Sequence, residues 1–294
     1  MVCTICGGDH LIPIFDASPI AIWTGADDET NALSLFQSQR LECKLFQCQH
    51  CGHVQREVNA NTEKITQAIY NSSLAQGTTR IGSGNWGKER FGKVLSHFNF
   101  KGLGKSALEI GCADGYLLKQ LTTLGYTKLI GIEPSLSENS AENTVALLKR
   151  YVSADLKLNT TFDLIYSIAV FEHIEKIRDI MVFSKAHLEN GGKLFFAVPN
   201  AELQLENGDP ALFLHEHIHY FTKSSINHLL TSNGFSLDNL ESTADTFYVR
   251  AVKKEPLVKM EMQTTRTYTN YQAKVDMIIN RISDLIRTLQ ITGL

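Results

Sequence analysis

The residues of this 294-residue chain best placed to do chemistry are two glycines and the acids around them. Residues 106–115 read Ser-Ala-Leu-Glu-Ile-Gly-Cys-Ala-Asp-Gly, an apolar strand pattern running into a turn that spans Gly111 and Gly115. A second apolar run, 129–132, ends at an acid, Glu133. Strand, glycine turn, helix and a carboxylate about twenty residues on make the layout of a nucleoside-binding α/β crevice. The glycines let backbone approach a ligand where a Cβ would clash. The acid at the second strand tip can accept hydrogen bonds from both ribose hydroxyls. A dinucleotide fold would show G-x-G-x-x-G facing a pyrophosphate. Here Glu109 precedes the turn and Asp114 lies within it. Two carboxylates repel a pyrophosphate and suit a ligand that carries an ammonium and a sulfonium.

Three other groups can do chemistry. Cys3-Thr4-Ile5-Cys6 and Cys48-Gln49-His50-Cys51 are C-x-x-C knuckles, each followed by glycine. Two such pairs in a reducing compartment point to a structural four-cysteine zinc site formed by Cys3, Cys6, Cys48 and Cys51, more than to a redox dithiol or unrelated core cysteines. With four protein ligands, no position stays open for water or substrate. Cys43, in an alternating apolar run, reads as packed. Glu172-His173 follows an apolar run and so falls near the crevice, outside the carboxyl ends of the strands. His215-Glu216-His217-Ile218-His219 packs three histidines and a glutamate into five residues. On a strand, His-x-His-x-His would share one face and could bind a metal. A general base oriented by a carboxylate is the better reading, and a solvated loop is the bland one.

The elements that must position these groups alternate. Further strands are expected at 151–155, 162–169 and 193–200, and late ones at 236–241 and 246–253. Helical spacing covers 174–188, closed by a left-handed cap at Asn190-Gly191-Gly192, and Thr222 is an N-cap for a helix through Leu230. Alternation of strand and helix implies a mainly parallel sheet with helices on both faces. The cysteine segment should carry small strands near 20–23 and 41–46. Beyond a linker at Lys253-Lys254-Glu255-Pro256, Tyr271, Val275, Ile278, Ile282, Leu285 and Leu289 form an a/d stripe. It reads as an amphipathic helix on its own domain or, alternatively, as a coiled coil that would make a homodimer. The resulting division is 1–62 zinc-binding, 63–254 catalytic and 255–294 linker and helix.

Composition is ordinary for a globular chain, 43% hydrophobic and 20% charged. The net charge of −3 disfavours a nucleic-acid binder. No apolar run is long enough for a membrane helix, and no signal segment opens the sequence, so a cytoplasmic location is expected.

The pattern at 109–115 resembles motif I of the class I S-adenosylmethionine (SAM)-dependent methyltransferases, and Gly131-Ile132-Glu133-Pro134-Ser135 resembles their motif II. The resemblance implies a Rossmann-like α/β fold with the last strand inserted antiparallel. SAM would then be held by Glu109, Gly111, Ala113, Gly115, Glu133 and Asp155. Asp155 would approach the adenine amino group, and Ser167 and Ala169 would flank the methionine part. Knuckles, SAM core and His-Glu-His…Tyr-Phe loop together resemble, over roughly 1–255, the sugar C-methyltransferases, which act on nucleotide-linked 4-ketosugars. That likeness implies site roles for Glu216, His217 and His173, and for Tyr70 in Ile69-Tyr70-Asn71-Ser72-Ser73. His217 would be the base, Glu216 its orienter or a sugar-hydroxyl acceptor, and His173 a second polar contact. The family usually has Tyr where this chain has Leu214, which sets the ketosugar acceptor in question. It also continues into a further α/β domain, so this chain is a shortened form or a relative with another acceptor. The alternatives are a methyltransferase acting on a protein or nucleic acid, with the knuckles as a reader, and a non-catalytic interaction module; against adenine N-methylation, its Asn/Asp-Pro-Pro-aromatic element is replaced by Ala-Val-Phe-Glu-His at 169–173. A non-catalytic interaction module would have no need of Glu133 or the glycine turn.

Overall fold

The computed structural model of the chain describes residues 1–21, 40–71, 85–209, 212–213, 216–253 and 266–292. Leu214, His215 and the linker at Lys254–Pro256 lie outside the described residues, as does the side chain of Tyr70.

The N-terminal segment forms β1 (Leu11–Asp16), β2 (Ile20–Ala21), β3 (Arg40–Leu41), β4 (Lys44–Cys48) and β5 (Val54–Arg56). Helices α1 (Ala60–Asn71) and α2 (Asn85–His97) lead into the core. The core runs β6 (Ser106–Ile110), α3 (Tyr116–Gln120), β7 (Lys128–Ile132), β8 (Ser140–Glu142), β9 (Val145–Leu148), β10 (Phe162–Ile168) and α4 (Ile177–His187). It continues through β11 (Leu188–Pro199), α5 (Ala201–Asn207), β12 (His219–Tyr220), α6 (Lys223–Ser232), β13 (Phe235–Ser242) and β14 (Thr246–Lys253), and α7 (Tyr271–Thr292) follows.

The main sheet has the order β13-β14-β11-β10-β6-β7-β9-β8. Its five central strands, β11 to β9, pair parallel, and β14 inserts antiparallel between β11 and β13. The central strands are buried along most of their length: Phe162, Leu164, Ile165, Phe195 and Phe196 are fully enclosed. Helices on both faces cover such a sheet, which is why its strands read as apolar runs rather than alternating ones. The α/β fold with a Rossmann-like parallel centre and a C-terminal helix is therefore as expected.

Two local expectations are corrected. The third strand is Val145–Leu148, not 151–155. Asn143 adopts φ 53° and turns β8 back into β9 as a hairpin, so the strand starts early, and Tyr151 is left exposed. Helix α4 does not end in a glycine cap. Its C-cap is Leu188 in extended conformation, and β11 begins there. Gly191, at φ 81°, lies inside β11, where the register on β10 jumps from Phe162↔Leu188 to Leu164↔Lys193. The glycines make a bulge, because the helix reaches the sheet too early to pair in register. Thr222, by contrast, caps α6 as expected, in a reciprocal capping box with Ser225.

The cysteine segment is not an independent lobe. Its sheet has the order β1-β4-β5-β12, so β12, from the core part of the chain, completes it. Cys3, Ile5, Cys48 and Cys51 share one buried cluster with Ile177, Phe171 and Phe221. Helix α7 starts with Tyr271 and Val275 buried against Ile14, Phe15 and Leu205. Farther along, Met277, Ile279, Ile282 and Ile286 are exposed. No described helix is long and apolar enough to cross a membrane.

Candidate active site

The glycine turn hangs on the tip of β7. Gly111 N and Cys112 N donate to Ile132 O at 2.8 and 3.3 Å, and Gly115 N closes the turn on Cys112 O. Gly111 and Gly115 both take φ 75°. A Cβ on Gly111 would stand 2.3 Å from Val170 Cγ2, and one on Gly131 would stand 2.5 Å from Cys112 Sγ. These glycines thus let the tips of β6, β7 and β10 close on one another, a reason that glycine spacing alone does not reveal. Ala113 (φ 48°) and Ala169 (φ 55°) also sit in the left-handed region, at the carboxyl ends of β6 and β10. For a residue with a Cβ that conformation costs about 1–2 kcal/mol, and such strain gathers at functional sites.

Glu133 stands at the tip of β7, beside the glycine turn. Ser135 donates to Glu133 Oε1 through N (2.9 Å) and Oγ (2.7 Å), while Ala113 N lies 3.4 Å from Oε2. The carboxylate is half-buried and aimed, with lone pairs left for a ligand. Ser135 is an orienting residue that the sequence reading does not single out. Ser167 is fully buried and its hydroxyl has no partner among the described residues, as a ligand beside the tip of β10 would require. The turn, Glu133, Ser167 and the strained Ala113 and Ala169 fit a nucleoside with a cationic tail.

Glu109 has a different environment from the one expected. It is 2% exposed, and Tyr166 Oη donates to its Oε2 at 2.9 Å. Burial pushes its carboxyl up to about 8. It is therefore mostly protonated at neutral pH and clamps β6 to β10 behind the turn. Of the two acids assigned to the turn by sequence, Asp114 remains, its Oδ1 accepting from Tyr116 N. Asp155 is exposed in a turn beyond β9.

Beside the tip of β10 a second group converges. A short 3-10 turn, Phe171–His173, presents Glu172 and His173. His173 Nε2 is 3.6 Å from Glu172 Oε1, and His173 Nδ1 is 3.9 Å from Glu216 Oε2. The His173 and His217 rings meet edge to face, centroids 5.1 Å apart. Burial opposes charge on Glu172, but the adjacent His173 and the charges of His173 and His217 outweigh it and hold its carboxyl below the usual range. Burial likewise opposes a charged His173, and the carboxylate of Glu172 beside it, with Glu216 behind, raises it nonetheless. Burial raises the Glu216 carboxyl. Glu172, 1% exposed, is a site member to which the sequence reading gives no role; an acid directly before a histidine at a strand end is its signal.

His173, His217 and Glu216 thus come together as expected, but Glu216 faces His173. The strand reading of His-x-His-x-His is corrected. Strand β12 begins only at His219, which is fully buried against His53, while His217 precedes it and joins His173. Tyr70 lies on α1. A cleft of about 200 Å3 opens at the same end of the sheet, between Ala169, Pro199, Thr246 and, on α2, Glu89 and Lys93.

The four knuckle sulfurs lie within 4.8 Å of one another, with Cys3–Cys51 and Cys6–Cys48 pairs at 3.5 Å. A tetrahedral zinc with Zn–S bonds of ~2.3 Å would space them by about 3.8 Å. Gly7 (φ 74°) and Gly52 (φ 72°) close the two turns on Cys3 O and Cys48 O, and Gly8 N points at Cys6 Sγ. The donor set fits zinc. Cys43 is buried elsewhere, packed with Leu45 and Tyr220.

A methyltransferase-domain family matches residues 87–240, just over half of the chain. The ubiquinone biosynthesis O-methyltransferase (mitochondrial) of Dictyostelium discoideum is 23% identical over 136 residues, which span 38% of this chain and 40% of that protein. Among solved structures, a chain of the complex between the Haloferax volcanii Trm112 methyltransferase activator and a methyltransferase shares the fold. Its TM-score is 0.50 at 13% identity, covering 67% of this chain and all of that one. The N-methyltransferase NodS of Bradyrhizobium japonicum, solved with S-adenosyl-L-homocysteine (SAH), has a TM-score of 0.45 at 18% identity, over 66% of this chain and all of its own.

Proposed function

The chain belongs to the methyltransferase-domain family, and from that premise we propose that it transfers the methyl group of SAM to a small molecule, a nucleotide-linked sugar, at carbon or oxygen. The observation that carries this reading is the cluster of Glu172, His173, Glu216 and His217 at the tip of β10, beside the glycine turn.

SAM, when bound, supplies an electrophilic methyl on a sulfonium. The protein's residues do the rest. Glu133 accepts from the ribose hydroxyls, and the turn 111–115 closes over the nucleoside. The acceptor must lose a proton, from a carbon beside a ketone or from a hydroxyl. His217 takes it, and a positioned base contributes roughly 10²–10⁴-fold. His173, held charged by Glu172, donates to the oxygen on which negative charge develops, in a site shielded from water. The four cysteines hold zinc as a structural ion that keeps β5, and hence β12, in place. Tyr70 and Asp155 keep their assigned roles toward acceptor and adenine. The exposed apolar residues of α7 support pairing of two chains through that helix.

The test is deuterium exchange. Incubated in D2O with a nucleotide-linked 4-ketosugar and SAH, the protein should exchange the hydrogen beside the ketone, and His217→Ala should stop exchange while SAH still binds. Equal loss of binding and exchange would make His217 a residue of the fold instead. Methylation of the same sugar without exchange would favour a hydroxyl acceptor, in keeping with the likeness to the Dictyostelium O-methyltransferase.

A further inference from the structure

The third histidine of the loop, His219, is not used by the mechanism above, yet it is 1% exposed and fully engaged. Its Nε2 donates to Ile174 O at 2.8 Å, and its Nδ1 lies 3.0 Å from His53 Nε2. Burial lowers its pKa to about 4, so the ring is neutral and carries one proton. With that proton on Nε2, Nδ1 must accept, and His53 must donate from Nε2. Thr4 Oγ1, at 3.4 Å from Nδ1, flanks the junction. His53 belongs to the second knuckle, directly after Cys51-Gly52. One residue before His219, Ile218 N donates to Glu172 O at 2.7 Å, and Arg56 N of β5 donates to Ile218 O at 2.9 Å. The carbonyls on either side of His173, those of Glu172 and Ile174, are therefore both held by residues 218–219. Those residues are in turn held by β5 and His53. An apolar side chain in place of His219 would strip His53 Nε2 of this partner, on a ring whose buried Nδ1 already has none among the described residues.

We propose that His219 is a positioning residue: seated on His53, it fixes the Ile174 carbonyl and so aims His173 at the reacting atoms. The inference rests on the functional reading above for the meaning of that aim. The hydrogen-bond chain itself does not depend on it.

The experiment uses the full chain with its bound metal and three variants. In His219→Gln the amide nitrogen reaches the place of Nε2 and can donate to Ile174 O. In His219→Asn the amide stops near the place of Nδ1 and cannot. His219→Phe removes both contacts. The readouts are the side-chain 1H–15N signals of His173, assigned through His173→Gln, with their titration midpoint against the facing groups Glu172, Glu216 and His217; SAH affinity by calorimetry; and melting temperature. The expected result is a His173 spectrum in His219→Gln close to that of the unaltered chain. The Asn and Phe variants should shift the midpoint by roughly half a pH unit or more, with exchange turnover down about 10–100-fold, the range for lost supporting contacts. SAH affinity should stay within about twofold. An unmoved His173 signal in the Asn and Phe variants, or a Gln variant as impaired as Phe, overturns the proposal. So does a loss that follows melting temperature across the three. If SAH binds none of the proteins, the functional reading fails, while the His173 spectra still decide the positioning role.

Discussion

Glu109→Gln isolates one buried charge. The side chain keeps its shape, and Tyr166 Oη can still donate to the amide oxygen, so packing is preserved. What disappears is ionisation. In the folded chain the Glu109 carboxyl is carried from its ordinary 4.5 up to about 8 by burial. Between those values the native state keeps a proton that the unfolded chain has released. Stability is therefore complete below pH 4.5, falls as pH rises, and is fully diminished only above about pH 8. At about 1.4 kcal/mol per pH unit the interval sets a ceiling of ~5 kcal/mol. A realistic loss, with water relaxing around the ion, is about 2–4 kcal/mol. Urea unfolding at pH 5, 7 and 9 measures it. The unaltered protein should lose stability from pH 5 to 9 by that amount relative to Glu109→Gln. If the two proteins keep a constant difference across the range, Glu109 titrates near its ordinary value, and its assignment as a neutral clamp between β6 and β10 is wrong.

Glu133→Ala should weaken SAH binding by roughly 10–100-fold, the worth of one or two hydrogen bonds to a charged acceptor, with melting temperature little changed; calorimetry reads it. Gly111→Ala should destabilise by about 2–5 kcal/mol in urea unfolding, because the new Cβ meets Val170 and the residue must stay at φ 75°. Removal of the knuckle metal by a chelator should release one zinc per chain, expose residues 1–60 to protease and abolish proton exchange through loss of β12, while SAH binding persists. Unchanged proteolysis there would remove the four-cysteine site.

The cysteine knuckles and the glycine turn were legible because they are local. C-x-x-C-Gly and Gly-x-x-x-Gly encode turns whose geometry depends on a few consecutive residues, and φ near +75° at Gly7, Gly52, Gly111 and Gly115 is the expected outcome. The capping box at Thr222 is of the same kind. The third strand and the end of α4 were misplaced because a hairpin at Asn143 and a bulge at Gly191 depend on which neighbour each strand finds. Residue identity could not show that Glu109 loses its charge, since that follows from burial under Tyr166 rather than from spacing.

The kind of fold, the glycine turn and the two cysteine knuckles follow from the residues alone, since period, turn chemistry and residue spacing all act over short stretches of chain. How His217 and His219 divide their work was settled by packing. His217 turns to His173 and His219 to His53 because the segment passes from the tip of β10 into the sheet of the cysteine segment. Pairing of β12 with β5 fixes His219 in the interior and leaves His217 just outside the strand, at the tip of β10. Contacts between residues some 165 positions apart are set by packing, and no local pattern carries them.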